Sequence, residues 1–311
     1  AAIQLSVKIG DTAANTKNCS RLAMERVSQG AKWIALPEFF NTGMAWDPTL
    51  VCAFEDENGP SASFLKSFSK THHVFIGGSF LCRLQNGSIR NRYMGYVNGK
   101  LLGIHDKDLP SFWENAFYEG GDDGDRGLLG NENGMRVGAA VCWEFMRTQT
   151  ARRLRGQVDL IMGGSCWWST PDNWPKWLTK HDEKKNIENM IGCIRDTARL
   201  VGAPIVHASH CGHVVCPNLG LPFIYHGRFE GNAIIVDAEG NILASRRREE
   251  GEGVIVADLL PTSIKSEDEI PDGFWLRSPG GILPWFAWYY QGWLGRKWYR
   301  RFVKPRSVET K

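Results

Sequence analysis

Nowhere in the 311-residue chain does an apolar run approach the roughly 18–20 residues that cross a bilayer, which excludes an integral helical membrane protein. Cys-x-x-Cys pairs are absent. The eight cysteines, at 19, 52, 82, 142, 166, 193, 211 and 216, fall mostly in apolar contexts and read as reduced cytoplasmic thiols. Internal repeats and low-complexity segments are missing, and no linker precedes about residue 270. Gly77-Gly78 and Gly163-Gly164 lack the spacing of a phosphate-binding fingerprint, so no nucleotide is expected. The opening segment, Ala1 to Val7, has no basic n-region or cleavage pattern and reads as a strand. What is present is a globular composition: 42% hydrophobic, 11% aromatic and 23% charged, enough for one large core or two small ones. That aromatic content with a net charge of +3 argues against disorder.

The charge is unevenly placed. Residues 271–311 carry eight Lys and Arg against Asp272 and Glu309, a net +6, which leaves −3 on the first 270 residues. Apolar β-rich segments recur at Ala2–Val7, Trp33–Leu36, Val74–Ser79, Met94–Val97, Gly138–Cys142, Leu160–Gly163, Ala203–Ala208, Asn232–Val236 and Val254–Asp258. Between them, Thr16–Gln29, Ser61–Lys70, Thr148–Arg155 and His181–Leu200 read as helices. Strands alternating with helices predict an α/β fold with helices packed over sheets. After Pro271 the composition shifts to Trp, Gly, Pro and Arg. The chain therefore divides into a body, 1–270, and an appended arm, 271–311.

Three of the strand-like segments run into turns bearing reactive side chains. Trp33–Leu36 leads to Pro37-Glu38, Leu101–Ile104 to His105-Asp106-Lys107, and Gly138–Val141 to Cys142-Trp143-Glu144. Ligand sites of α/β proteins gather at such strand ends. Together the three side chains suffice for acyl transfer without a metal or organic cofactor. A thiolate is the nucleophile, and a nearby ammonium favours it. A carboxylate takes the thiol proton and later activates water. The ammonium, helped by a backbone N–H after the cysteine, stabilises charge developing on the substrate.

Leu36-Pro37-Glu38-Phe39-Phe40-Asn41-Thr42-Gly43, His105-Asp106-Lys107-Asp108-Leu109-Pro110 and Gly138-Ala139-Ala140-Val141-Cys142-Trp143-Glu144 resemble the three signature blocks of the nitrilase, or carbon–nitrogen hydrolase, superfamily. Their order and spacing agree, and Phe229–Ala244 resembles the family's penultimate hairpin. The resemblance implies a four-layer α-β-β-α sandwich, commonly dimerised and often assembled further. It implies Cys142 as nucleophile, Glu38 as general base and Lys107 as the cation for the tetrahedral intermediate. Glu114 stands where many members have a second glutamate, with Glu119 a less well aligned candidate. The Cys-Trp-Glu tripeptide is characteristic of the nitrile-hydrolysing branch. Phe145, Gln149, the Ser111–Asn115 stretch, Asp196 and Asn232 depart from the family's usual residues and leave the substrate open.

The expected pocket is aromatic, formed by Trp113, Phe117, Tyr118, Trp143 and the Cys166-Trp167-Trp168 stretch, which suits a hydrophobic or aryl-bearing substrate. Asp172 and Asn173 could fix a polar group there. The run from His207 to His213, with Cys216 beyond, superficially resembles a metal cluster, but His207 and His210 have opposite strand parity and no metal is expected. Arg246-Arg247-Arg248-Glu249-Glu250 reads as a solvated turn. The aromatic and basic arm reads as a subunit-interface arm or, alternatively, as an attachment to an anionic membrane surface. Nucleic acid fits poorly with the acidic body. The expected function is conversion of a small nitrile or primary amide to acid and ammonia. The rivals are an N-carbamoyl amidohydrolase, which would also release carbon dioxide, an acyltransferase using the same thioester, and a catalytically silent scaffold acting through the arm.

Overall fold

The computed structural model describes residues 1–304. Thirteen strands form one hydrogen-bonded network whose main path runs β6-β5-β4-β2-β1-β10-β9-β8-β7. On one side of this path lie β1 (Ala2–Ser6), β2 (Trp33–Ala35), β4 (Phe75–Arg83), β5 (Ile89–Val97) and β6 (Lys100–Asp106), with the short β3 (Glu55–Asp56) pairing β4. On the other lie β7 (Leu128–Glu132), β8 (Met135–Val141), β9 (Leu160–Ser165), β10 (Ile205–Pro217), β11 (Ile224–Val236) and β12 (Ile242–Arg247), while β13 (Gly253–Ile255) returns to pair β1. The parallel pairs β2/β4, β1/β2, β1/β10, β10/β9 and β9/β8 form the centre, and antiparallel hairpins form the flanks.

Helices α1 (Thr12–Val27) and α2 (Pro60–His72) cover the first half, and α3 (Thr148–Leu154) and α4 (Lys176–Val201) the second. This is the α-β-β-α sandwich. Each helix buries one stripe. Cys19, Leu22 and Ala23 of α1 with Leu65 and Phe68 of α2 join Ile34, Ile76 and Met94 in one core, while Met190, Ile194 and Ala198 of α4 join Val141, Ile161 and Ile205 in another. Both caps have a physical basis. Asp11 accepts from the Ala14 N–H at the start of α1, and Gly202, at φ +75°, ends α4 in the left-handed conformation glycine adopts without strain.

The two sheet halves approach closely at the strand ends that carry the reactive residues. A side chain at Gly164, on β9, would stand 2.7 Å from the Leu36 carbonyl oxygen and 2.8 Å from the Pro37 Cα. Only a glycine lets β9 pass that near the turn bearing Glu38.

Two expectations change at this level. Strand β10 runs well beyond Ala203–Ala208, because His207 and His210 are buried along it as neutral, hydrogen-bonded side chains. The run 246–250 is not wholly a solvated turn. Arg248 points inward to Glu183 and the fully buried Glu230, both at 2.6 Å; burial and the Glu183 charge push the Glu230 carboxyl up to about 8, and Arg248 pulls against them.

The described part of the arm, to residue 304, folds back on its own chain; residues 305–311 of that expected segment lie outside the described residues. It is helical from Ile282 to Val303 through α5 (Ile282–Phe286) and α6 (Gly292–Trp298), with wider π turns at Ala287–Gln291 and Tyr299–Val303. Gly295 sits where a Cβ would meet the Ala116 N at 2.9 Å, so the arm lies directly against the short helix Phe112–Ala116. Trp298 packs edge-on against Trp46.

Candidate active site

Glu38, Lys107 and Glu114 meet in one fully buried ion cluster. The Lys107 ammonium donates to Glu38 Oε1 at 2.8 Å and to Glu114 Oε2 at 2.7 Å. Each carboxylate is held by further donors. Asn91 Nδ2 donates to Glu38 Oε1 at 2.8 Å, and the Cys166 N–H donates to Oε2 at 2.9 Å. His210 Nε2 lies 2.6 Å from the Glu38 carbonyl oxygen and donates to it from the neutral ring that burial enforces. Glu114 accepts from the Ser111 N–H at 2.9 Å and from the Tyr118 hydroxyl.

Cys142 follows β8 at a sharp turn with φ +53°, a left-handed backbone that only surrounding structure can impose on a non-glycine residue. Its buried thiol feels the charges of both Glu38 and Lys107. Burial, reinforced by the Glu38 charge, pushes the thiol well above its usual range. It therefore stays neutral until a base removes its proton. Burial likewise pushes the Glu38 carboxyl up, against the pull of Lys107, to about 7. Lys107 is held well above the ordinary lysine range: burial opposes its charge, but Glu114 and Glu38 outweigh it. The cluster thus pairs a permanent cation with a carboxylate poised near neutrality.

With Glu38 as the base, active only when ionised, the expected result is a kcat/KM that rises about tenfold per pH unit below 7 and levels off above it. A pH–rate profile checks this. A plateau extending down to pH 5 contradicts the assignment of Glu38 as the base.

The turn after Cys142 is braced by Glu144, which is buried completely. Its carboxylate accepts from the Val141 N–H at 2.7 Å and the Asp108 N–H at 3.1 Å, and it contacts His105 Nε2 and Arg153 Nη2 at 2.8 Å each. His105 is pushed up to about 9, burial being outweighed by Glu144 and Asp125, so it is a cation here. Glu144 therefore ties the cysteine turn to the strand end bearing Lys107. Glu119 stands apart from the ion cluster, pairing with Arg90 at 3.4 Å and Lys304 at 3.1 Å.

A cleft of about 660 Å³, part of it open to solvent, is lined by residues that neighbour the cluster in sequence. Phe112, Trp113, Trp168 and Tyr225 line one side, and Leu283, Pro284, Phe286, Ala287 and Gln291 of the arm line another. Trp113 adjoins Glu114 in the chain, and Trp168 is two residues past Cys166, but Glu38, Lys107, Glu114 and Cys142 are themselves buried and do not line the cleft. Of the expected pocket residues, Trp113 and Trp168 line this cleft. Tyr118 instead bonds Glu114, and Phe117 packs against Trp46 and Trp298. Trp143 stacks on Trp288 at 5.6 Å inside the core, and Trp167 Nε1 donates to Asn186 at 2.7 Å. Asp172 pairs with Arg228 and Asn173 donates to the Ile224 carbonyl, so neither reaches the cleft. His207 bonds Ser165 and His210 bonds Glu38, so these two rings serve different partners.

The sequence profile of the carbon–nitrogen hydrolase family matches residues 1–266, which include every member of the ion cluster and Cys142. The chain belongs to the carbon–nitrogen hydrolase family. Among relatives of this hydrolase, the 2-oxoglutaramate amidase of Bacillus subtilis (strain 168) is 25% identical over 277 residues, covering 86% of this chain and 93% of that protein. A nitrilase of Pyrococcus abyssi is 26% identical over 159 residues, 49% of this chain and 58% of the other. The fold is similar to that of a carbon–nitrogen hydrolase from Helicobacter pylori G27, with a TM-score of 0.64, 16% identity and coverage of 81% and 85%. An amidase of the nitrilase superfamily from Nesterenkonia AN1 gives a TM-score of 0.62 at 16% identity, covering 81% of this chain and 86% of that one.

Proposed function

We propose that this carbon–nitrogen hydrolase converts an uncharged, apolar primary amide to its carboxylic acid and ammonia through a thioester on Cys142. The observation that carries the reading is the buried Glu38–Lys107–Glu114 cluster beside the Cys142 thiol; a cleft whose described lining residues include Trp113, next to Glu114 in the chain, and no charged side chain supports the substrate class. Glu38 takes the thiol proton, and the sulfur attacks the amide carbon. Lys107 faces the oxygen on which charge develops. The carbon–nitrogen bond breaks as Glu38 returns the proton to the nitrogen, and ammonia leaves. A water then gives its proton to Glu38 and its oxygen to the carbonyl carbon. The sulfur–carbon bond breaks, the acid departs, and the proton returns to sulfur.

The lining of the cleft supports this substrate class. Its side chains are aromatic, aliphatic or uncharged polar, the latter Ser169, Thr170, Asn186, Asn218 and Gln291. A carboxylate-bearing amide such as the one named for the Bacillus relative would find no cation there to replace its lost hydration. An aryl or alkyl group fits. The acyl part would occupy the cleft, with its amide end passing the contact between Phe112 and Trp168 toward Cys142.

A nitrile of the same acyl group is the second reading, favoured by Trp143 in the Cys-Trp-Glu tripeptide. That side chain packs against Trp288 and Trp275 in the core and does not line the cleft, which weighs toward the amide. Ammonia release from matched aryl and alkyl amides, nitriles, carbamoyl compounds and a dicarboxylic monoamide separates these cases. Uncharged amides should exceed the carboxylate-bearing amide by about 100-fold in kcat/KM. Turnover confined to the charged amide, or carbon dioxide released together with ammonia, would overturn the reading.

A further inference from the structure

Three of the segments that line the cleft also carry large apolar side chains facing solvent. At the start of α4, beyond the cleft residue Trp174, Trp177 is 84% exposed and Leu178 lies beside it. The segment containing the cleft residue Leu221 presents Phe223 at 56%. The arm lines the cleft with one face and presents Ile282, at 79%, Tyr289, at 65%, and Trp293 on the other. Apolar side chains singly exposed need no explanation, but here they gather on all three elements around one opening.

The charges around them have a single sign on the arm. Residues 273–308 contain no acid. Arg296, Lys297, Arg300 and Arg301 are exposed, and among the described residues none of the four is in an ion pair. Lys297 lies 3.6 Å over the Trp293 ring, which keeps cation and aromatic face together at the surface. At α4, Lys176, Lys180 and Lys184 surround Trp177. Exposed Trp and Tyr among Lys and Arg, on a helix lying along the surface, is the pattern of a helix seated in the headgroup region of a bilayer. No described helix is long and apolar enough to cross one.

We propose that the rim of the cleft, formed by the outer face of residues 282–303 together with Trp177, is a docking surface for an anionic lipid membrane. The charge complementarity selects this occupant. A second copy would present a body of net −3 spread over 270 residues, whereas an anionic bilayer offers a continuous negative surface and an apolar layer for Trp177, Tyr289 and Trp293. Docking would bring the cleft mouth to the bilayer, from which an apolar amide could enter. Docking itself does not depend on the identity of that substrate.

Co-sedimentation of the full chain with phosphatidylglycerol vesicles and with phosphatidylcholine vesicles tests the proposal. The expected result is binding to the anionic vesicles that weakens with added salt and is much weaker on the zwitterionic ones. The triple variant Lys297→Gln, Arg300→Gln, Arg301→Gln should bind about 100-fold more weakly, taking about fivefold per charge removed. Trp177→Ser, Tyr289→Ser, Trp293→Ser should also lose binding while keeping the wild-type circular dichroism spectrum. Equal binding to both vesicle types, or no binding by the wild type, overturns the proposal. So does a wild-type dimer that both variants convert to monomer without any vesicle binding, which would make the face a subunit interface.

Discussion

Cys142→Ala lowers kcat/KM by at least about 10⁴-fold and leaves the protein folded. The size follows from the role. Without sulfur no acyl-enzyme forms, and the remaining Glu38 and Lys107 can only assist direct attack by water. Retention of the fold follows from the surroundings. Cys142 is almost wholly buried, but its turn is held by the hydrogen bonds that Glu144 makes to Val141 and Asp108, none of which involves the cysteine side chain. Removing the thiol takes away one small buried group, costing on the order of 1–2 kcal/mol. Ammonia release and urea unfolding, measured on the same preparation, check both halves. Activity within tenfold of wild type would remove Cys142 from the mechanism.

Lys107→Met damages both catalysis and stability. Loss of the cation facing the developing charge lowers kcat by about 10²–10³-fold. In addition, Glu38 and Glu114 are left buried without their shared counter-charge, a loss of about 3–5 kcal/mol for breaking such a cluster from one side. The pH dependence has a definite sign. Lys107 pulls the Glu38 carboxyl down against burial, so removing it raises that carboxyl further above its unfolded value. The folded variant then holds a proton that the unfolded chain releases, and its stability falls as pH rises. The deficit relative to wild type is therefore smaller at pH 5 than at pH 8 in urea unfolding. An equal or larger deficit at pH 5 contradicts a buried carboxylate pair relieved by Lys107.

How much of this was legible in the sequence depends on whether a residue's partners lie nearby in the chain. The strand ends at Glu38, Lys107 and Cys142 could be read because apolar β-rich segments stop at reactive residues, and the resemblance of the three blocks to the carbon–nitrogen hydrolase signatures implied the α-β-β-α fold. The bracing of those residues could not. Asn91 on β5 and Cys166 just past β9 hold Glu38 from 53 and 128 positions away, and His210 on β10 holds its carbonyl from 172. Such contacts are created by strand pairing, which leaves no local periodicity. Glu144 was visible as part of a tripeptide, yet its function as a brace depends on His105 and Arg153 arriving from β6 and α3. Arg248 read as a solvated charge because its neighbours Arg247 and Glu249 are, and only the hairpin register of β11 and β12 turns it toward Glu230. The aromatic residues failed to sort by sequence for a related reason. Trp113, Trp143 and Trp167 look alike in the chain, and tertiary packing alone sends one to the cleft and two to the core.

The central claim is that the amide nitrogen leaves before water attacks, with the acyl group held on Cys142. Turnover of an aryl-bearing primary amide with increasing hydroxylamine tests it most directly. The account predicts that hydroxamate accumulates at the expense of the acid while ammonia release does not fall, because hydroxylamine intercepts the thioester after the nitrogen has gone. Acid formation unaffected by hydroxylamine, with no hydroxamate produced, would mean that water attacks the amide directly and would contradict it.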